Sequence, residues 1–349
     1  MPLALLRFPF LIQKVIFEEI DLLAVLSITT LSKKSRATAR ETACLRHYKF
    51  HLRYLERESF RLEQKFEDQN NNIFDFLLID QARPPCPCPL WHIGNQEVRI
   101  GCSESSTLAY VYSDNISNFA TETLRYLSIT LPNLSVTLEF RTHDAETFRR
   151  TVHSVEGAEE IKEISVGESR EPQDEFVKVV LDESQRAKNL NLRFSICNNF
   201  VYPTRVPLKF DSISMTSAGW ISRNTFIKLF LSCKSVELHG KDFKDEDITA
   251  IFRAWTEGSS LEFLQFFGNL DFYREKTLGS ILEGFAGAAP VRNTFINFWR
   301  RGQLHIARPG EGKCYRIQQR NAQTTALVCI VDNYIVLTTN FEIVNNALQ

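Results

Sequence analysis

The sequence predicts an α/β chain: an N-terminal three-helix module, then an array of alternating strands and helices, then a β-rich tail. Three observations carry this expectation. Residues 6–35 hold more apolar side chains than one helical stripe needs. Between about residues 130 and 300 the apolar spacing switches repeatedly between period two and period three to four. The C-terminal stretch falls into short alternating runs separated by polar turns.

The first helix is expected to begin at Pro9 and to carry Phe10, Leu11, Ile12, Val15, Ile16, Phe17 and Ile20, so it is apolar around well over half its circumference. Asp21 reads as the N-cap of a second helix, in which Leu22, Val25, Leu26 and Thr29 recur at three- and four-residue steps. A third helix starts at Ser32. About forty residues cannot bury this much apolar area in a core of their own. The surplus is expected to face either the rest of the chain or another protein.

From Tyr48 the pattern becomes a strand, with Tyr48, Phe50, Leu52 and Tyr54 on one side and Lys49, His51 and Arg53 on the other. Residues 33–65 contain ten Lys/Arg against four Asp/Glu, which the alternation explains as the solvated side of a strand and helix rather than a nucleic-acid patch. A polar turn at Asn70-Asn71-Asn72 precedes the apolar run Ile73 to Ile79. Prolines in Pro84-Pro85-Cys86-Pro87-Cys88-Pro89 favour an extended link, and no second Cys/His pair completes a zinc site there.

Strands are expected at Leu134/Val136/Leu138/Phe140, Ile164/Val166, Leu192/Phe194/Ile196, Ile213/Met215, Val236/Leu238 and Leu261/Phe263, most of them about 22 to 28 residues apart. Helical patterns fall between them: Phe148/Val152/Val155, Phe176/Val177/Val180/Leu181, Phe226/Leu229/Phe230 and Leu278/Ile281/Leu282/Phe285. The clearest unit runs from Val236 to Phe263. In it Asp245 or Asp247 caps a helix with the single stripe Ile248, Ile251, Phe252 and Trp255, and Gly258 stops it. Strands separated by helices at this period imply parallel pairing, in a leucine-rich-repeat-like β-α array or an open α/β sheet. In the tail, Leu304/Ile306, Tyr315/Ile317 and Ala326/Val328/Ile330 alternate, and Asp332-Asn333 marks a hairpin from Val328 to Leu337. The expected organisation is thus a helical module over 1–45, a β-containing connection over 46–125 and a β-α region over 126–349.

Composition narrows the functional classes. With 44% hydrophobic and 11% aromatic residues the chain builds a large core, and a formal net charge of -1 gives no attraction to a polyanion or an anionic membrane. Eight scattered cysteines lack the density of a disulfide framework, which points to reduced thiols in cytoplasm or nucleus. No apolar run reaches the length of a membrane span, and Arg7 interrupts the run from Pro2 to Ile12, so neither a membrane helix nor a signal peptide is expected. Phosphate-cradling glycine loops and the Gly-x-Ser-x-Gly elbow are absent, and His47 and His51 have metal-ligand spacing only where the chain turns to strand. Neither a catalytic residue, nor a metal site, nor a cofactor is expected.

Two segments resemble known families. Pro9, Ile12, Ile16, Ile20 and Asp21, followed by Val25, Ile28, Thr29 and Ser32-Lys33-Lys34, fall in the register of an F-box, with Phe8 in place of the family's Leu and Thr29 in place of a common Ser. The second segment starts at Trp220. There the strand from Cys233 to Leu238, Asp247-Ile248, Phe252, Trp255, Gly258-Ser259 and Leu261 to Leu264 are similar to the type 2 F-box-associated domain of nematode-type families, although the family's Asn-Pro after Gly-Ser is missing. This second likeness places the associated domain at about 203–270.

These resemblances imply a non-catalytic substrate-recognition adaptor of an SCF-type, cullin-RING ubiquitin ligase. Leu6, Phe8, Pro9, Ile12, Ile16, Ile20, Val25, Ile28 and Ser32 are the implied contacts to the Skp-type adaptor, and through it to cullin. An unidentified protein substrate would be held by the C-terminal region. A repeat-type interaction scaffold that delivers no substrate has the same sequence signature.

Overall fold

A computed structural model describes residues 7–20, 22–42, 47–54, 59–65, 72–80, 88, 90–93, 96–102, 108–113, 115–131, 133–141, 144–167, 172–267, 278–285, 287–292, 294–320, 324–331 and 333–345. Among them nine α-helices and nineteen strands make a mixed α/β chain. It divides into two compact units, Met1–Glu168 with Val179–Lys188, and Ser169–Lys178 with Asn189–Gln349. The expectations for Leu6, Asp21, Asn70-Asn71, Asp332 and most of the proline-rich link fall outside the described residues.

The first unit opens with α1 (Phe10–Glu19), α2 (Leu22–Leu31) and α3 (Lys33–Thr42). One side chain from each, Phe17, Val25 and Ala39, makes a small core against which Ile20 and Ile28 pack. The Ser32 hydroxyl accepts a hydrogen bond from the Ser35 N–H at 3.0 Å, which satisfies an otherwise open donor at the start of α3. At the junction with α4 (Ile116–Thr130), the Arg36 guanidinium lies 4.7 Å from the centre of the Tyr126 ring.

The sheet of this unit has the strand order β8-β7-β1-β2-β3-β6-β5-β4. Its strands are β1 (His47–Tyr54), β2 (Ser59–Lys65), β3 (Asn72–Asp80), β4 (Leu90–Ile93), β5 (Gln96–Cys102), β6 (Leu108–Ser113), β7 (Leu134–Phe140) and β8 (Glu160–Gly167). β1 pairs in parallel with β7 from Tyr48 opposite Leu134 to Tyr54 opposite Phe140. The first strand of residues 46–125 thus shares a continuous hydrogen-bond ladder with the first strand of the β-α region. Phe50, Leu52 and the alternate β7 residues Leu134, Val136, Leu138 and Phe140 are buried, and Phe140 packs on Phe148 of α5 (Ala145–Ser154) at 4.7 Å between ring centres. The other face is ionic, with Arg53 Nε 3.2 Å and His51 Nε2 3.6 Å from Glu139 Oε2. The basic residues of β1 thus form the polar side of a sheet, as their alternation implied.

α6 (Asp174–Glu183) leads to β9 (Ala187–Arg193) and the second unit, where β9, β10 (Ser212–Met215), β11 (Ser235–Leu238) and β12 (Phe263–Phe267) run parallel. α7 (Arg223–Leu229) and α8 (Asp245–Thr256) make the crossovers. Leu190, Leu192, Ile213, Met215, Val236, Leu238, Leu264 and Phe266 are all buried on one side of these strands. Phe243 joins that layer to α7, with ring centres 5.3 Å from Phe266 and 6.2 Å from Phe226. In α8 the stripe Ile248, Ile251, Phe252 and Trp255 is buried. Asp247 accepts from the Lys244 N–H at 3.3 Å, so Lys244 is the cap position and Asp247 reaches back to it from the first turn. Gly258, with φ +129°, ends the helix in a conformation that a side chain disfavours.

After the short α9 (Leu278–Ile281), the tail strands are β13 (Ala289–Pro290), β14 (Thr294–Arg300), β15 (Gln303–Ala307), β16 (Cys314–Gln318), β17 (Thr325–Val331), β18 (Tyr334–Thr338) and β19 (Phe341–Asn345). They extend the parallel strands in the order β12-β18-β17-β16-β13. β17 and β18 form the expected hairpin, with Val331 opposite Tyr334. A separate sheet, β15-β14-β19, packs Ile296, Phe298 and Ala307 against Phe263, Leu327, Cys329 and Val336. Leu304 and Ile306 alternate as expected, yet both are exposed, because their pairing opposite Trp299 and Asn297 turns them away from the side that carries Phe298 and Ala307.

Candidate protein-docking face

α1 follows Pro9, whose fixed ring suits a helix start but offers no side chain to cap it, and no acidic residue occupies the first turn. A ten-residue helix of this kind is marginal alone, so its stability comes from packing. The packing side is Gln13, Ile16, Phe17 and Ile20, spaced at three, four and seven residues. Phe17 is 1% exposed, and Gln13 is held down by its Nε2 donating to the Phe8 carbonyl at 2.6 Å.

The opposite stripe has the same spacing and the same chemistry but is bare. Phe8 is exposed, Leu11 is 73%, Ile12 46% and Val15 56% exposed, and Phe10 in the first turn is exposed as well. Leu31, at the end of α2, is also exposed. A contiguous row of large apolar side chains on one short helix is unfavourable in water and marks a surface that another apolar surface covers.

The implied docking residues divide accordingly. Phe8, Pro9, Ile12 and Ser32 are exposed, while Ile16, Ile20 and Ile28 are half-buried between the outside and the small core. Val25 is wholly buried, in the small core with Phe17 and Ala39. Leu11, Val15 and Leu31 were not among the implied contacts. Their signal was nonetheless present, since apolar residues on every side of α1 leave some outside whichever side packs.

The Thr29 hydroxyl is spent on the Leu26 carbonyl at 2.7 Å, and burial pushes the Tyr126 phenol up, keeping it protonated. Among the described residues no group of three or more His, Cys, Asp or Glu side chains converges as a metal site, and no helix is long and apolar enough to cross a membrane. The chain matches no family model, no curated protein and no solved structure.

Proposed function

We propose that the chain is a substrate-recognition adaptor of an SCF-type ubiquitin ligase, docking on a Skp-type adaptor through α1–α3 and presenting a protein substrate with the rest of the chain. The observation that carries this reading is the outward stripe Phe8, Leu11, Ile12 and Val15, in the very segment whose register resembles an F-box. The mechanism is tethering: a substrate held on this chain meets the conjugating enzyme of the cullin-RING assembly at high effective concentration. The covalent chemistry belongs to that enzyme.

The test is a pull-down with purified Skp-type adaptor. Ile12→Asp places an unpaired carboxylate in the contact without touching the helical core, and it abolishes capture. Undiminished capture by the folded variant refutes the proposal. A substrate-free scaffold is separated from a ligase adaptor by whether any protein captured with the chain accumulates when the chain is depleted.

A further inference from the structure

The sheet of the second unit has a polar face. Register aligns Asn191, Ser214, Glu237, Gln265 and Val336 in one row across β9, β10, β11, β12 and β18, and Asn189, Ser212 and Ser235 in the row before it. The three-stranded sheet covers this face at β12, where Phe298 stacks on Phe263. At β9 to β11 this face is open only in part: Ser212 and Ser235 are half-buried, while Ser214 in the neighbouring row is buried.

At the border stands an arrangement that the helices and the docking face do not use. Glu237, 1% exposed, receives Arg300 Nε at 3.0 Å and Nη2 at 2.7 Å, so both carboxylate oxygens already have a charged donor. Arg301 then adds a second guanidinium, with Nη2 3.1 Å from Oε2 and Nε 3.0 Å from Oε1. Two cations share one anion. Arg300 and Arg301 remain 29% and 46% exposed, so the surplus positive charge reaches the surface.

Arg301 holds this place at a cost in backbone. It has φ +49° beside Gly302 at +76°, in the two-residue turn between β14 and β15, and it is the only non-glycine residue with positive φ among those described. Asn-Gly makes such a turn with less strain than Arg-Gly.

We propose that Arg300 and Arg301 form a recognition site for the carboxylate of an Asp or Glu side chain, in an acidic peptide segment lying across β9 to β11. The leftover guanidinium donors take the carboxylate, and the half-buried Ser212 and Ser235 hydrogen-bond the peptide backbone. One surplus charge suits a single acidic side chain and is too little for a polyanion such as nucleic acid, which needs several cations along its path. The site is independent of the amino-terminal face, and its test needs no adaptor.

The test is fluorescence anisotropy of a labelled peptide of alternating Glu and Ser, titrated with the full chain at low salt, beside the matching Gln-Ser peptide. The Glu peptide binds about tenfold more tightly, the value of one charge-assisted hydrogen bond. Arg301→Asn removes that preference while thermal stability is kept, and Arg301→Lys restores part of it. Equal affinity for the two peptides, absence of binding, or an unchanged preference in Arg301→Asn overturns the proposal. If Arg301→Asn proves unfolded, the comparison of the two peptides on the native chain and on Arg301→Lys decides it.

Discussion

Arg300 grips Glu237 with two parallel hydrogen bonds, Nε to Oε1 at 3.0 Å and Nη2 to Oε2 at 2.7 Å, fastening the end of β14 to the middle of a parallel sheet. Burial disfavours the Glu237 carboxylate, but Arg300 and Arg301 outweigh it and hold the group below the ordinary glutamate value. Replacing Arg300 by Met leaves a buried charge half-compensated and destabilises the chain by about 3 kcal/mol, measured by urea unfolding at neutral pH. Because the folded-state value is the lower one, this contribution is fully present above the ordinary carboxylate range and is lost as pH falls through the depressed value. The gap between native chain and variant therefore narrows in acid.

Ile12 and Phe17 lie on opposite sides of α1 and respond oppositely. Phe17→Ala empties the three-helix core and costs about 3 kcal/mol of the stability of that module, read as loss of hydrogen-exchange protection in α1–α3. Ile12→Asp leaves that protection unchanged while removing adaptor capture.

The cysteines differ in reactivity by environment. Cys197 is exposed, whereas Cys88, Cys233, Cys314 and Cys329 are buried, and burial pushes the Cys233 thiol up to about 11. Among these five, iodoacetamide labels Cys197 first in the native chain at pH 8, and Cys233 only after unfolding, as peptide mass mapping will show. Early labelling of Cys233 would mean that the packing around the Leu208 carbonyl, its 3.4 Å partner, is open.

Gly258 tests the backbone alone. A methyl group there meets nothing within 4 Å, yet φ +129° is hostile to any side chain. Gly258→Ala lowers stability by about 1 to 2 kcal/mol with no change of core packing, checked by thermal melts and near-ultraviolet circular dichroism.

The second unit was readable wherever one periodicity ruled. Ile248, Ile251, Phe252 and Trp255 share a stripe, and that stripe is what α8 buries. The strands around Ile213, Val236 and Phe263 pair in parallel, as helices between them require. Legibility failed where a pattern has two equivalent solutions. Leu304 and Ile306 give the same alternation whether they point in or out, and only the partner strand decides. The residues of β17 from Ala326 to Ile330 are all buried, since that strand has neighbours on both faces, which alternation cannot express. For α1 the abundance of apolar residues was plain, but which of them stay outside depends on Val25 and Ala39, contributed by other helices. The Arg301 site was hidden because it joins residues 237 and 301 through a turn whose usual Asn is absent.

The bare stripe on α1 also governs how the chain behaves when it is made in excess. A molecule with Leu11 and Val15 in water meets other copies of itself through the same greasy row, so purified stocks clump as concentration rises, and co-expression with a covering partner improves yield. On the proposed reading, the amount of well-behaved chain in a cell then follows the supply of the adaptor that shields that helix.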